Sequence, residues 1–348
     1  MNIKMKAYAF GTYPGMKIEP PNYEGTELDF GLDIGIVTEL SCCDDTMILV
    51  TENGLSKAVG NNKTRKLGIG DIDFTNDFVD VVSSQSFKKC NCGDDFSIWI
   101  TKDKQVYIAG GIAAFSTPTK VDSLSAIDSA CYCKAVFMKV SENSGIFWPD
   151  FHDLSEKSSF EFSSAIQAFS CGNLFASVLC EDGSLFLVKH QQDLVQIVAG
   201  RCALNGGNRF ISASSSSSYT AAIDLNGGLW IFGQMGPYNG DNAVIPIMEE
   251  ARKVVALPNH CIVFDDLGLC FSFGANGSGQ LGNGSAIDCL SPMPMNQRDS
   301  SFYASGSSKY TVLLPFGFDD SIAKYHDEDV IPGSLAKSLQ DSANFLIE

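Results

Sequence analysis

Apolar residues along this chain come in short runs, and the runs come in pairs separated by a short turn that usually contains glycine. Residues 92–100 and 106–110 form one such pair, and residues 171–179 and 185–188 form another. Asn-Gly and Asp-Gly turns tolerate positive φ and are strong signals for two-stranded hairpins. The pattern therefore predicts a series of β-hairpins, with no long helical period between them.

The hairpins recur roughly every 40 to 50 residues, which is the spacing of a repeat protein. Further turns occur at residues 52–54, 225–228 and 266–268, and weaker copies lie at residues 137–148 and 310–314. A hairpin of this kind buries its two faces only against neighbouring units, as in the radial blades of a propeller. We therefore predict an all-β, seven-bladed β-propeller.

The seventh copy lacks a partner strand, because Pro315 follows its first strand at once. The missing piece is found at the other end of the chain, where residues 8–11 match the strand ending of residues 230–233. We expect this N-terminal strand to complete the last blade and close the ring, which removes exposed sheet edges.

These repeats predict one propeller domain over residues 1–318, followed by an acidic linker and a short C-terminal helix within residues 319–348. Apolar positions in the tail, Leu335, Leu339, Ala343 and Leu346, recur at helical spacing; a frayed tail is the alternative. The predicted blades cover residues 36–81, 82–122, 123–163, 164–205, 206–250, 251–295, and 296–315 plus 6–16.

One loop carries a specific motif: residues 274–284 read Gly-Ala-Asn-Gly-Ser-Gly-Gln-Leu-Gly-Asn-Gly. Residues 60–70 keep the same spacing, with Arg65 and Lys66 in place of Gly279 and Gln280. The glycines permit tight turns with positive φ, and the leucine returns to the core. The structural motif residues are Gly60, Asn62, Leu67, Gly68, Gly70, Gly274, Asn276, Gly279, Gln280, Leu281, Gly282 and Gly284.

This motif resembles that of the regulator of chromosome condensation repeat family. A WD-repeat propeller is the structural alternative, but its Gly-His and Trp-Asp dipeptides are missing from these repeats. The resemblance implies a propeller of the regulator-of-chromosome-condensation type. It also implies a protein-binding platform, since the family includes a nuclear exchange factor for the small GTPase Ran that also binds histones.

The chain has 41 acidic and 24 basic side chains, giving a formal net charge of -17. Such a surface repels a phosphate backbone and favours encounter with a basic protein, so we expect no direct nucleic-acid partner. Asp44, Asp45, Asp94 and Asp95 are candidates for an acidic rim that binds such a partner, although acidic loop residues are more often simply solvated.

A histidine often lies near the propeller shaft in the family, eight residues before the turn glycine. The corresponding residues here are Thr46, Phe96, Phe175 and Tyr219, and only the sixth blade keeps a histidine, His260. We retain His260 as a candidate partner-binding residue. The absence of histidine at the equivalent position of the other four blades favours an interaction scaffold. Guanine-nucleotide exchange on a Ran-like small GTPase remains the alternative function.

Neither catalysis nor a cofactor is indicated, because the sequence contains no P-loop, G-x-S-x-G elbow, H-E-x-x-H or dinucleotide-binding turn. The twelve cysteines include the pairs 90/92 and 131/133, which lack the spacing of zinc ligands. Since residues i and i+2 of a strand share a face, each pair is interpreted as two buried, reduced thiols. No metal site is predicted.

The N-terminus lacks the apolar segment of a secretory signal, and no run of about eighteen apolar residues occurs. We therefore expect an intracellular protein, cytoplasmic or nuclear, without a membrane partner.

Overall fold

The computed structural model describes residues 7–15, 23–30, 35–111, 115–189, 194–196, 209–235, 238–245, 251–296 and 301–315. Within these residues every regular element is a β-strand, and the strands form seven four-stranded sheets. No helix capable of spanning a membrane is found in this part of the chain. The tail of residues 319–348, with its predicted helix, lies outside the described residues.

The seven sheets are the blades of a propeller, numbered along the chain. Blade 1 consists of β3 (Val37–Cys43), β4 (Thr46–Thr51), β5 (Ser56–Asn61) and β6 (Phe74–Asp80). Blade 2 consists of β7 (Phe87–Cys92), β8 (Phe96–Thr101), β9 (Gln105–Gly110) and β10 (Phe115–Ser125). Blade 3 consists of β11 (Asp128–Tyr132), β12 (Ala135–Lys139), β13 (Ser144–Trp148) and β14 (Ser158–Glu161). Blade 4 consists of β15 (Ile166–Cys171), β16 (Phe175–Cys180), β17 (Leu185–Lys189) and β18 (Leu194–Gln196). Blade 5 consists of β19 (Phe210–Ser216), β20 (Ser218–Asp224), β21 (Leu229–Met235) and β22 (Tyr238–Ile245). Blade 6 consists of β23 (Ala251–Leu257), β24 (His260–Asp265), β25 (Cys270–Gly274) and β26 (Cys289–Pro294).

Blade 7 is made from both ends of the chain, which confirms the predicted closure. Its strand order is β2 (Thr26–Leu28), β1 (Ala7–Gly11), β28 (Tyr310–Pro315), β27 (Ser301–Gly306). In β1, Tyr8 pairs with Leu313 and Gly11 pairs with Tyr310 in antiparallel register. The all-β, seven-bladed architecture predicted from the repeats is therefore confirmed.

The second strand of a blade is its most buried part. All six residues of β4, β8 and β24 are buried. Their sequences are near-continuous apolar runs because neighbouring blades cover both faces of the strand. One core cluster joins strands of blades 7 and 1, and another joins strands of blades 1 and 2, so the apolar core lies between blades.

The first strands of all seven blades line a central cavity of about 350 Å³, which we call the channel. Small polar side chains link these strands across the blade boundaries. Ser212 and Ser214 accept hydrogen bonds from the main-chain nitrogens of Val254 and Ala256, each at 3.0 Å. The serine-rich stretch of blade 5 thus satisfies main-chain donors on the free edge of blade 6, which would otherwise be unpaired.

An ion-paired group lies at the end of the channel where these first strands begin. The Lys89 ammonium lies 2.5 Å from a Glu39 carboxylate oxygen and 3.2 Å from one of Asp128. Burial alone would lower the pKa of Lys89, but the carboxylates of Asp128 and Glu39 hold it above its ordinary value. Blades 1 to 3 supply this ion-paired group, which lies at the other end of the first strands from the turns that connect them to the second strands.

Candidate partner-binding site at the channel mouth

The channel mouth is formed by seven tight turns, one in each blade, that connect the first strand to the second. We define the mouth by the two residues of each turn: 44–45, 94–95, 133–134, 173–174, 217–218, 258–259 and 308–309. Asp44, Cys133 and Ser217 occupy the first turn position with positive φ, at 43°, 50° and 50°. These conformations point the turn residues away from the strand ladders, where they surround the channel opening.

Asp44 of blade 1 and Asp94 of blade 2 come together at this mouth. Both side chains are exposed, and a carboxylate oxygen of each lies within 4.8 Å of the other and of the Cys43 sulfur. Within the described residues, neither carboxylate is in a salt bridge. Two unpaired carboxylates this close produce a locally concentrated negative potential.

Asp45, another candidate from the sequence, is tied down within its own blade. Its Oδ2 atom accepts a hydrogen bond from Nδ2 of Asn61 at 2.8 Å. The carboxylate therefore fixes the turn and contributes charge to the mouth.

Asp95 is tied to a histidine of blade 3. Its Oδ2 atom lies 2.9 Å from Nε2 of His152, and Nδ1 of His152 lies 2.8 Å from Asp150. Partial burial acts to raise the pKa of Asp150, but hydrogen bonds from the main chain and ring of His152 outweigh it and lower the pKa. The Asp95–His152–Asp150 arrangement joins blades 2 and 3 beside the mouth.

His260 does not lie on the surface. Its side chain is fully buried, with Nε2 2.7 Å from Thr311 Oγ1 and Nδ1 3.0 Å from Asn259 Oδ1. Burial lowers its pKa to about 3, so the ring is neutral near pH 7. A partner cannot contact this side chain in the structure, because Thr311 of blade 7 covers it. His260 connects blade 6 to blade 7.

Two thiols at the mouth were missed by sequence reasoning. Cys43 precedes Asp44, and Cys133 occupies the turn of blade 3, where its main-chain oxygen accepts a hydrogen bond from Asp94 N at 3.0 Å. Burial raises the pKa of Cys133 to about 11, and Asp94 adds to the effect. The expectation that Cys131 and Cys133 share a strand face was wrong, because β11 ends at Tyr132. An alignment of the two-residue turns of successive repeats would have shown that Cys133 occupies the same turn position as Asp44 and Asp94.

The motif loops lie behind the mouth and brace its turns. In blade 1, Lys66 Nζ donates to the main-chain oxygen of Asp94 at 2.9 Å. In blade 6, Gln280 Nε2 donates to the main-chain oxygen of Ser308 at 3.0 Å. Both side chains are buried, at 4% and 2% exposure. Each motif loop therefore holds the turn of the following blade, and the partner-facing residues are mounted on that turn.

A buried asparagine organises each motif loop. Oδ1 of Asn62 accepts from Leu67 N at 2.8 Å, and Oδ1 of Asn276 accepts from Leu281 N at 3.0 Å. Leu67 and Leu281 are fully buried. The motif residues identified in the sequence are thus structural, and they determine where the mouth residues lie.

Comparison with known proteins confirms the resemblance inferred from the motif. The family described as "Regulator of chromosome condensation (RCC1) repeat" matches residues 268–314. That segment begins just before β25 and contains the loop of residues 274–284 and all of β28 except Pro315. No curated protein sequence matches the chain significantly.

Solved structures show the same fold at low sequence identity. Human WBSCR16 superposes with a TM-score of 0.76 at 13% identity, covering 90% of this chain and 99% of the other. Prp20p from Saccharomyces cerevisiae, studied for its binding to Gsp1p and histones, gives a TM-score of 0.74 at 13% identity, covering 93% and 94%. Yeast RCC1 (Prp20) bound to Kap60 gives 0.70 at 13% identity, covering 93% and 92%. The chain is thus a diverged propeller of the RCC1 type.

Proposed function

We propose that this propeller is a protein-interaction scaffold that binds a basic segment of a partner protein at the channel mouth. The observation that carries the proposal is the pairing of Asp44 and Asp94, exposed and without salt bridges among the described residues. Lysine or arginine side chains of a partner would satisfy these carboxylates, and arginine can do so with two parallel hydrogen bonds.

The surrounding structure supports this proposal in two ways. The turns that carry the carboxylates are fixed by Lys66 and by the hydrogen bond from Asp94 N to the Cys133 oxygen, so little ordering is needed on binding. The net charge of -17 adds long-range attraction for a basic partner.

We infer a binding role rather than a catalytic one. The two histidines in the described residues are engaged, His152 by two carboxylates and His260 by an amide and a threonine hydroxyl. Neither is hydrogen-bonded to a serine or cysteine, as a histidine that activates a nucleophile would be.

The test is to titrate an arginine- and lysine-rich peptide into the protein and to measure affinity by calorimetry at low and high salt. We expect D44N/D94N to weaken binding about tenfold at low salt, because it removes both carboxylates that contact the peptide. The matched control is D103N/D266N, which removes two acidic residues from the turns β8–β9 and β24–β25 at the opposite end of the blades. Equal losses in the two double variants would show that only net charge matters and would refute a site at the mouth.

Guanine-nucleotide exchange on a Ran-like small GTPase is the second candidate. It is favoured by the structural similarity to Prp20p, whose reported partners include Gsp1p. It is disfavoured by the shaft position, where Thr46, Phe96, Phe175 and Tyr219 replace the family's histidine and His260 is buried.

Release of a fluorescent GDP analogue from a Ran-like GTPase separates the two candidates. Faster release in the presence of the chain, with retention of the nucleotide-free GTPase in a pull-down, would establish exchange. Unchanged release by protein that still binds the basic peptide would support the scaffold.

A further inference from the structure

Exposed apolar side chains lie along the outer part of blade 6, which we call the blade 6 edge. They belong to the turn before β25, to the outer strand β26 and to the loop that enters it, and they are Leu267, Leu269, Ile287, Leu290 and Met293. Each of these side chains is between 45% and 74% exposed. Single exposed leucines are ordinary, whereas several on neighbouring elements indicate a surface that another segment covers.

The last described strand of the chain finishes beside this edge. β28 runs from the channel mouth to the opposite end of blade 7, where its last residue, Pro315, pairs with Ser301. Ser301 N donates to the main-chain oxygen of Gly268 at 3.0 Å, and Gly268 lies between the exposed Leu267 and Leu269. The tail that follows Pro315 therefore starts next to the blade 6 edge.

We propose that residues 335–347, which the sequence predicts as an amphipathic helix, pack their apolar face on the blade 6 edge of the same chain. A helix of this length is about 20 Å long, at about 1.5 Å per residue. β26 has six residues, and at about 3.3 Å per residue it is also about 20 Å long, so the two elements match. Because so short a helix is marginally stable alone, it needs an apolar surface to pack against.

The chain between β28 and this segment is long enough to allow the contact. Residues 316–334 span at most about 65 Å when fully extended, which exceeds the length of β26. The tether gives the segment an effective concentration on the order of millimolar at the edge, which a separate copy of the chain at micromolar concentration does not match. The blade 6 edge is therefore better suited to this tail than to a second copy.

Charge also keeps the tail at this end of the blades. Residues 319–329 are acidic, and the channel mouth at the opposite end carries the exposed carboxylates of Asp44 and Asp94. Like charges repel, so the acidic linker favours positions away from the mouth.

Trypsin provides the first measurement, because residues 319–348 contain two cleavage sites, Lys324 and Lys337. Lys337 belongs to the docking segment and Lys324 to the acidic linker, so Lys324 is an internal reference. Mass spectrometry of the full chain during brief digestion gives the rate of each single cut. We expect cleavage at Lys337 to be at least about tenfold slower than at Lys324, since proteolysis follows the population of the undocked segment.

Substitutions on the propeller locate the docking surface without altering the tail. The variant L267S/L269S should raise the cleavage rate at Lys337 about tenfold. Leu55 is comparably exposed in the equivalent turn of blade 1, so L55S is the matched control and should leave this rate unchanged. Because all three leucines are exposed, both variants should unfold near the wild-type temperature.

Two results would overturn the proposal: equal cleavage rates at the two lysines in wild type, or protection of Lys337 that survives in L267S/L269S. Protection that increases with protein concentration would assign the edge to a second copy of the chain and would also contradict packing within one chain.

Discussion

Blades 1 and 6 carry the same motif loop but support different turns at the channel mouth. The two loops have matching hydrogen bonds from Asn62 and Asn276, and Arg65 adopts a φ of 67° where Gly279 has 79°. The turn after the first strand is Asp44-Asp45 in blade 1, whereas it is Pro258-Asn259 in blade 6.

The comparison shows that the residues that hold the turns in place are different from the turn residues that a partner would contact. Lys66 and Gln280 differ in charge, yet each is buried and donates to the turn of the next blade. The buried positions therefore need a donor of suitable length, and several side chains provide one. The turn residues face solvent and are free to differ, so they give each blade its own surface chemistry.

The largest expected effect at neutral pH comes from filling the glycine that ends the third strand. A Cβ at Gly274, where φ is 117°, would lie 2.6 Å from the main-chain oxygen of Asn259. We expect Gly274→Ala to lower the free energy of unfolding by about 3 kcal/mol in urea titrations, and Gly60→Ala to do the same in blade 1. Gly277→Ala is the control, since its Cβ would meet nothing within 4 Å; an equal loss there would contradict the argument.

The buried asparagines come next. Asn62 and Asn276 are fully buried, and each makes several hydrogen bonds within its loop. Replacement by alanine leaves main-chain groups without partners, so we expect each variant to lose about 2 kcal/mol in the same assay. The exposed Asn53, in the turn after β4, provides the comparison; a matching loss in Asn53→Ala would show that the bonds within the loop are not the cause.

His260 and Thr46 occupy equivalent positions in blades 6 and 1, opposite Gly274 and Gly60. Because the folded pKa of His260 is lowered to about 3 from 6.5, the unfolded chain takes up this proton first. The stability that neutral His260 contributes to the folded state is complete above about pH 6.5. It is lost as the pH falls towards 3, by up to about 1.4 kcal/mol per pH unit.

The variant His260→Thr, which copies blade 1, should remove that slope. Chemical unfolding of the variant and of the wild type between about pH 7 and pH 4 gives the free energy of unfolding of each. The slope of their difference with pH measures the effect of His260, because the contributions of the other titrating groups cancel. Identical pH profiles would mean that His260 is not buried in its neutral form.

The smallest effect is expected at Lys66. Lys66→Gln introduces the residue found in blade 6 and should change stability by less than about 1 kcal/mol, because the amide can still donate to Asp94. It also removes a positive charge next to the mouth, so the basic peptide should bind about twofold more tightly. Lys66→Met, which loses the donor, should be the less stable of the two; the reverse order would disprove the bracing role.

Turn chemistry and apolar runs made the fold predictable from the sequence. Glycine turns such as residues 52–54 and 266–268 specify hairpins locally, and the unpaired last repeat together with residues 8–11 indicated how the ring closes. These features depend on residues close together in the chain or on the need to pair every strand edge, so they require no knowledge of packing.

The make-up of the channel mouth was decided by the tertiary structure. Asp44, Asp94 and Cys133 are far apart in the sequence and meet only because the ring places equivalent turns around one channel. The burial of His260 likewise depends on Thr311, which belongs to the next blade. Sequence patterns report the partners of a strand within its hairpin, whereas contacts between turns of different blades depend on the radial geometry of the closed ring.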